Sequence, residues 1–280
     1  MLRIVTDGAA DMPREWEKEF DINIVPINIR FGEQVYLQFI DIDNEGFYKL
    51  VDETKRIPKT AQPSPHQFTE FYKKVAQAGD TILSMHVTSK LSGTYDSAVA
   101  AARELEGQFN VVPFDTATGS AGIGMMCRMA RTMDRAGKSF DEIMAKMEAM
   151  KAAGNIYLAL DTLEYARMSG RVGTMQAALA SMLNVKPIAK LQNGVIDIVE
   201  KVRTRKASLA RLIEMVKENV GDKPIDATIV QARDMESGTF LMEEVKKNFN
   251  VRELFITDLS ISVAANLGPG TVGVVFFPAE

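Results

Sequence analysis

Short apolar runs alternate with segments of helical spacing through the first half of the chain. LRIV (2–5), INIVPINI (22–29), TILSMHV (81–87), NVVPF (110–114) and NIYLAL (155–160) are each four to eight residues long and read as strands. Their alternation with helical patterns to about residue 161 predicts a parallel sheet covered by helices, Rossmann-like in class. Two helix starts carry reciprocal capping signals. Ser64 is followed by Pro65 and, three residues on, by Gln67; Ser139 has Glu142 three residues on.

After Gly154 the rhythm changes. In VKPIAKLQNGVIDIVEKV (185–202), Asn193-Gly194 separates two apolar alternations, which predicts an antiparallel hairpin. The segments that follow, KASLARLIEMVKENV, IDATIVQA, SGTFLMEEVKKNF, VRELFIT and TVGVVFF, read as helix, strand, helix, strand and strand, a mixed sheet with helices on one face. The fold class expected is therefore α/β, an N-terminal Rossmann-like parallel-sheet domain (1–154) and a C-terminal α/β domain with a mixed sheet containing a hairpin (155–280). Between them, residues 162–184 are helical by composition and rich in Met, Leu and Ala. They read either as a core helix between domains or as a wall or lid over an apolar ligand.

Composition narrows the class. With 46% hydrophobic residues in 280, the chain can supply real cores for two domains. A formal charge of −4 without a lysine-arginine block excludes a large nucleic-acid surface. The single cysteine, Cys127, cannot form an intramolecular disulfide, and its apolar setting in GIGMMCRMA predicts an inert buried thiol. The chain opens on strand-like LRIVTD rather than a leader, and no apolar run approaches the roughly 20 residues of a membrane span. A soluble cytoplasmic protein is expected.

The chemistry is that of a binder. Residues 81–106 pass from an apolar run through a hydroxyl-rich loop into an alanine-rich helix, and ligands of α/β sheets sit beyond the carboxyl ends of strands. Thr88, Ser89, Ser92 and Thr94 in that loop donate hydrogen bonds but offer no acid or base at neutral pH, which suits holding an anion more than transforming one. His66, in the first turn of a capped helix, and His86, inside a strand, are poor general bases. Ser92 and Ser120 therefore lack a base, and GSAG (119–122) lacks the nucleophile-elbow spacing. Asp7 and Asp11 read as turn or cap residues, so no metal is expected. GIG (122–124) lacks the third glycine of a dinucleotide fingerprint, no Walker pattern occurs, and no cofactor is expected.

Four polar, tight segments remain: TDGAAD (6–11), KTAQPSP (59–65), TSKLSGTY (88–95) and NLGPG (266–270). Singly each reads as a turn. Together and in this order they resemble the DegV family of fatty-acid-binding proteins, which present acyl chains to bacterial fatty acid kinase. The resemblance spans nearly the whole chain. It rests on Thr6-Asp7 with Asp11, Thr60 with Gln62-Pro63-Ser64, Ser89 to Tyr95, Ser169-Gly170-Arg171, Arg203 in VRTRKA and Gly268-Pro269-Gly270. It implies two α/β domains with a long-chain fatty acid between them and the tail inside the second. The head group would meet Thr60, Ser92, Gly93 and Asn266, while Arg171 and Arg203 would mark the surface facing the kinase. Such a protein is a carrier rather than an enzyme.

Two positions depart from the family pattern. Ala61 stands where a second hydroxyl is usual, and Asn266 where a histidine is usual, two residues before the GPG. Asparagine can donate and accept but cannot take a proton. Two alternatives follow: a phosphotransferase related to the substrate domain of dihydroxyacetone kinases, and a non-lipid interaction protein with a vestigial pocket.

Overall fold

A computed structural model of the chain describes residues 1–172 and 185–279. Its first sheet is four-stranded and parallel, in the order β2-β1-β6-β7, from β1 (Leu2–Asp7), β2 (Ile22–Val25), β6 (Thr81–His86) and β7 (Asn110–Asp115). The run INIVPINI is not one strand. Pro26 has no N–H for a ladder, so β2 stops before it and the chain enters a separate three-stranded sheet, ordered β4-β3-β5, of β3 (Asn28–Phe31), β4 (Gln34–Leu37) and β5 (Lys59–Ala61). Helices α1 (Glu15–Glu19), α2 (Asn44–Thr54), α3 (Pro65–Val75), α4 (Thr94–Glu104), α5 (Ala121–Arg135) and α6 (Phe140–Ala153) belong to this half. The two predicted capping boxes are present, at Ser64–Gln67 opening α3 and Ser139–Glu142 opening α6.

The second sheet has six strands. β8 (Asn155–Ala159), β9 (Lys186–Gln192), β10 (Val195–Val202), β11 (Ile225–Gln231), β12 (Val251–Asp258) and β13 (Val272–Pro278) lie in the order β10-β9-β8-β13-β11-β12. Only β11 and β12 are parallel among its pairs. NIYLAL, which continues the rhythm of the first half, thus belongs here, as β8 antiparallel to β9 and β13. An apolar run announces a strand without naming its partner. Asn193 (φ 53°) and Gly194 (φ 79°) are both left-handed, the geometry of the tight turn expected between β9 and β10.

Alternation along these strands serves two cores. Tyr157, Ala159, Ile188, Ala227, Ile229, Val272, Val274 and Phe276 pack against α8 (Arg205–Val220) and α9 (Met235–Asn248). Their neighbours Ile156, Leu158, Ala189, Leu191, Val230, Val275 and Phe277 join Ile123, Met126, Ile143 and Met147 of α5 and α6 in a core that reaches Ile4 and Leu83 of the parallel sheet. Both faces of the mixed sheet are therefore covered, where the sequence predicts helices on one face only. The helical reading of 162–184 also needs correction. α7 (Glu164–Ser169) ends at Gly170, left-handed at φ 68°, and Val172 bridges to Ile196. Residues 173–184 of that stretch lie outside the described residues. α10 (Ile261–Leu267) completes the fold, and no helix among the described residues is long and apolar enough to cross a membrane.

Candidate functional site

The four tight segments meet at one cavity of about 390 Å³ between the two halves. Ala9 comes from the loop after β1, Thr60 to Gln62 from β5 and its exit, Leu91, Ser92 and Thr94 from the loop after β6, and Asn266 and Leu267 from the end of α10. The parallel strands set this position. The chain leaves β1 toward β2 on one side and β6 leads to β7 on the other, so the loops after β1 and β6 diverge and leave a crevice at their carboxyl ends. Ile156, Leu158, Leu191 and Ile196 of the mixed sheet close the opposite side with apolar surface.

Polar atoms collect where the first-half loops meet α10. Thr60 Oγ1 accepts a long hydrogen bond from Asn266 Nδ2 (3.4 Å), and that amide also donates to the Ser262 carbonyl oxygen at 2.6 Å. Ser92 Oγ lies 2.8 Å from Thr94 Oγ1 and accepts the Thr94 N–H at 3.3 Å. The two hydroxyls share one internal bond, so one of their protons is left to donate into the cavity. Helices α4 and α5 both begin at this wall, at Gly93 and Ser120, without a side-chain cap, which adds the partial positive charge of two helix N-termini. Gly93 leaves room for the Gln62 side chain, whose Nε2 would lie 2.4 Å from a Cβ there. Arg171, exposed at the cavity's edge, is the one charged side chain among the described lining residues.

The predicted site residues do not all meet. Thr60, Ser92 and Asn266 line the cavity, whereas Gly93, next to Ser92 in the chain, is not among its lining residues. Arg203 is exposed in the bend between β10 and α8 and lines no part of it. Of the four loop hydroxyls expected to face a ligand, two do not: Thr88 donates to the Gly194 carbonyl at 3.3 Å and Ser89 to Asp115 at 2.6 Å. Ser262 and Val263 also line the cavity and were not anticipated. The signal was present, since Ser262 precedes Asn266 by four residues and shares its helix face.

Buried titratable groups nearby do structural work. His86, Ser84 and Asp7, all 0% exposed, form a chain in which Ser84 Oγ lies 2.7 Å from His86 Nε2 and His86 Nδ1 3.0 Å from Asp7 Oδ2. The sequence reading gave His86 no such partners. The order matches a hydrolytic triad, but Tyr72 Oη caps Ser84 at 2.8 Å and neither Ser84 nor His86 lines the cavity. Asp11, 2% exposed, accepts hydrogen bonds from Ser120 and, at 2.8 Å, from the Ser260 N–H, joining the starts of α5 and α10. Burial pushes its carboxyl up to about 6 against the lowering effect of those bonds. Cys127 is buried, and burial pushes its thiol up to about 12, far from thiolate reactivity. Among the described residues no group of three or more His, Cys, Asp or Glu is placed to hold a metal ion.

Residues 1–279 match the model of the family described as "Uncharacterised protein, DegV family". The chain belongs to the DegV family. It is 30% identical over 275 residues to protein DegV of Bacillus subtilis, covering 98% of both chains. It is 34% identical over 271 residues to a DegV domain-containing protein of Listeria monocytogenes, covering 95% of this chain and 96% of that one. Among solved structures, a DegV family protein from Thermus thermophilus, described as binding fatty acid, superposes with a TM-score of 0.91 at 29% identity over 99% of each chain. A stearic acid-binding protein from Eubacterium ventriosum superposes with a TM-score of 0.89 at 26% identity, covering 99% of this chain and 98% of that one. The α/β architecture, a parallel four-stranded sheet followed by a mixed sheet with a hairpin, is that of these DegV structures.

Proposed function

We propose that this chain binds a long-chain fatty acid between its two halves and presents the carboxyl group to a separate fatty acid kinase. One observation carries the reading: a cavity with hydroxyls of the first half on one wall and the apolar face of the mixed sheet on the other. The related structures from Thermus thermophilus and Eubacterium ventriosum, described as binding fatty acid, support it. The division of labour is physical. Burying about 14 methylenes at ~0.8 kcal/mol each gives on the order of 11 kcal/mol, so the tail supplies affinity. A carboxylate leaving water costs several kcal/mol unless it is hydrogen-bonded, so Thr60 and Ser92, assisted by the start of α4, supply head-group selectivity.

Ala61 leaves the head site one hydroxyl poorer than the family pattern. Asn266 keeps Thr60 oriented without a titratable ring, and its grip on the head group is then insensitive to pH. The carrier contributes no catalytic group, works in the cytoplasm, and needs no cofactor or metal. Arg171, beside the cavity, and Arg203 serve as the kinase-facing cations.

Native mass spectrometry of mildly purified protein tests the reading directly. A bound species of fatty-acid mass is expected, and its absence from protein incubated with palmitate sinks the proposal. For presentation, Arg171→Glu is expected to retain lipid yet form acyl phosphate at least about tenfold more slowly with the cognate kinase, the order expected of losing a charge contact. Equal turnover removes Arg171 from the docking surface.

A further inference from the structure

The loop that carries Ser92 is joined to both halves of the molecule through Thr88. Thr88, 1% exposed, donates its N–H to the Thr118 carbonyl at 2.9 Å, and its own carbonyl accepts the N–H groups of Leu91 at 3.1 Å and Ser92 at 3.3 Å. Its hydroxyl accepts the Lys90 N–H at 3.4 Å and donates its proton to the Gly194 carbonyl at 3.3 Å, in the other half of the molecule. Gly194 is the tip of the β9–β10 hairpin, and the strands on either side of that tip place Leu191 and Ile196 in the cavity wall. Lys90 repeats the link, its ammonium donating to the Asn193 carbonyl at 2.8 Å. The junction is tight, since a Cβ on Gly194 would lie 2.3 Å from Thr88 Oγ1, at a φ of +79° that L side chains rarely adopt. A short path of touching groups therefore runs from Ser92 through Thr88 and Gly194 to Ile196.

We infer that Thr88 is a positioning residue that makes the seating of the head group conditional on closure of the β9–β10 hairpin over the acyl tail. The inference rests on the fatty-acid reading of the cavity and adds a coupling to it. When the hairpin lifts, a buried hydroxyl loses its acceptor and Lys90 loses its carbonyl, so the loop keeps only its first-half anchors, Thr88 to Thr118 and Ser89 to Asp115, and Ser92 is held less firmly. When a tail of the right length packs against Leu191 and Ile196, the hairpin is held down and Ser92 is fixed where the carboxylate arrives. A tail too short to reach Ile196 then loses head-group affinity as well as its own apolar contacts. Discrimination by chain length exceeds what the missing methylenes alone supply.

The test is a double-mutant cycle read as palmitate dissociation constants. In the wild-type background, Ser92→Ala and Ile196→Ala are expected to be non-additive by at least about fivefold, although one acts at the head and the other at the tail. In a Thr88→Val background the same cycle is expected to become additive within about twofold. A purely structural Thr88 would lower the melting temperature of the variant and leave the cycle coupled. Additivity in the wild type, or coupling that persists without Thr88, overturns the inference. Wild-type protein that binds no palmitate removes the fatty-acid reading and the coupling with it. Should Thr88→Val fail to fold, Gly194→Ala breaks the same junction from the hairpin and must uncouple the cycle.

Discussion

Hydroxyl side chains in one loop do different work according to where their protons go. Ser89 donates to Asp115 at 2.6 Å outside the cavity, whereas the Ser92–Thr94 pair keeps a donor directed into it. Ser92→Ala and Thr60→Ala should each weaken palmitate binding by about 10- to 100-fold, the equivalent of a hydrogen bond to a charged group, with no loss of fold. Ser89→Ala should leave the dissociation constant unchanged, and a parallel loss in all three variants would show that the loop acts as an undivided polar patch. Asp11 supplies the pH dependence. Its folded value of about 6 stands above the ordinary carboxyl value of 3.8, so the native state holds that proton more tightly. The resulting stability is present in full below about 3.8 and is lost as pH rises through about 6, on the order of 3 kcal/mol in all. Asp11→Asn keeps an acceptor for the Ser260 N–H and cannot ionise. The stability difference between variant and wild type, from urea unfolding, should therefore shift in the variant's favour between pH 4 and 7. A difference that stays flat across that range would contradict the raised carboxyl.

Elements announced themselves wherever a local backbone requirement has a residue signature. Ser64 and Ser139 opened α3 and α6 because a side-chain oxygen and a third-position Gln or Glu answer orphan N–H groups in any context, and Asn193-Gly194 turned the hairpin because both residues sit at positive φ. Ser139→Ala should cost about 1 kcal/mol in urea unfolding, with lipid content unaffected, because α6 starts away from the cavity. Pairing and burial were less legible. The run 155–160 carries the same apolar signal as β1 and β6 yet joins the other sheet, and the left-handed Gly170 interrupts what composition reads as one helix. The glycines of GIG illustrate the same limit. A Cβ on Gly124 would lie 2.4 Å from the Asp11 carbonyl oxygen, so this glycine lets α5 approach the loop after β1 rather than a phosphate. Gly124→Ala must move backbone to fit, and about 1–3 kcal/mol of stability should be lost by urea unfolding. A neutral result would mean that loop 8–12 yields freely.

The molecule's two halves are defined by their sheets, but its largest core belongs to both. Ile4, Leu83, Ile123 and Met126 of the first half are continuous with Leu158, Val275 and Phe277 of the second, with α5 and α6 between the sheets. The sequence placed the boundary at residue 154 because the pattern of elements changes there. It could not show this shared core, because an apolar helix face looks the same whichever sheet it meets. Arg128, on α5, pairs with Glu253 of β12 through two hydrogen bonds at 2.5 and 2.8 Å, and Asp11 ties the start of α10 to the first half. Cutting the chain at 154 would expose the apolar face that α5 and α6 turn to the mixed sheet, and would remove the cover from Leu158, Val275 and Phe277. Fragments 1–154 and 155–280 should therefore aggregate or remain unfolded when expressed apart, while the intact chain should unfold in one cooperative transition. Saturating palmitate should raise that single transition as a whole, by about 4 kcal/mol at a thousandfold excess over its dissociation constant, because the ligand binds a site to which both halves contribute. Calorimetry decides between this and independent domains: two resolved transitions, with only one shifted by palmitate, would show that the cavity is an attachment to one half rather than a property of the joint core.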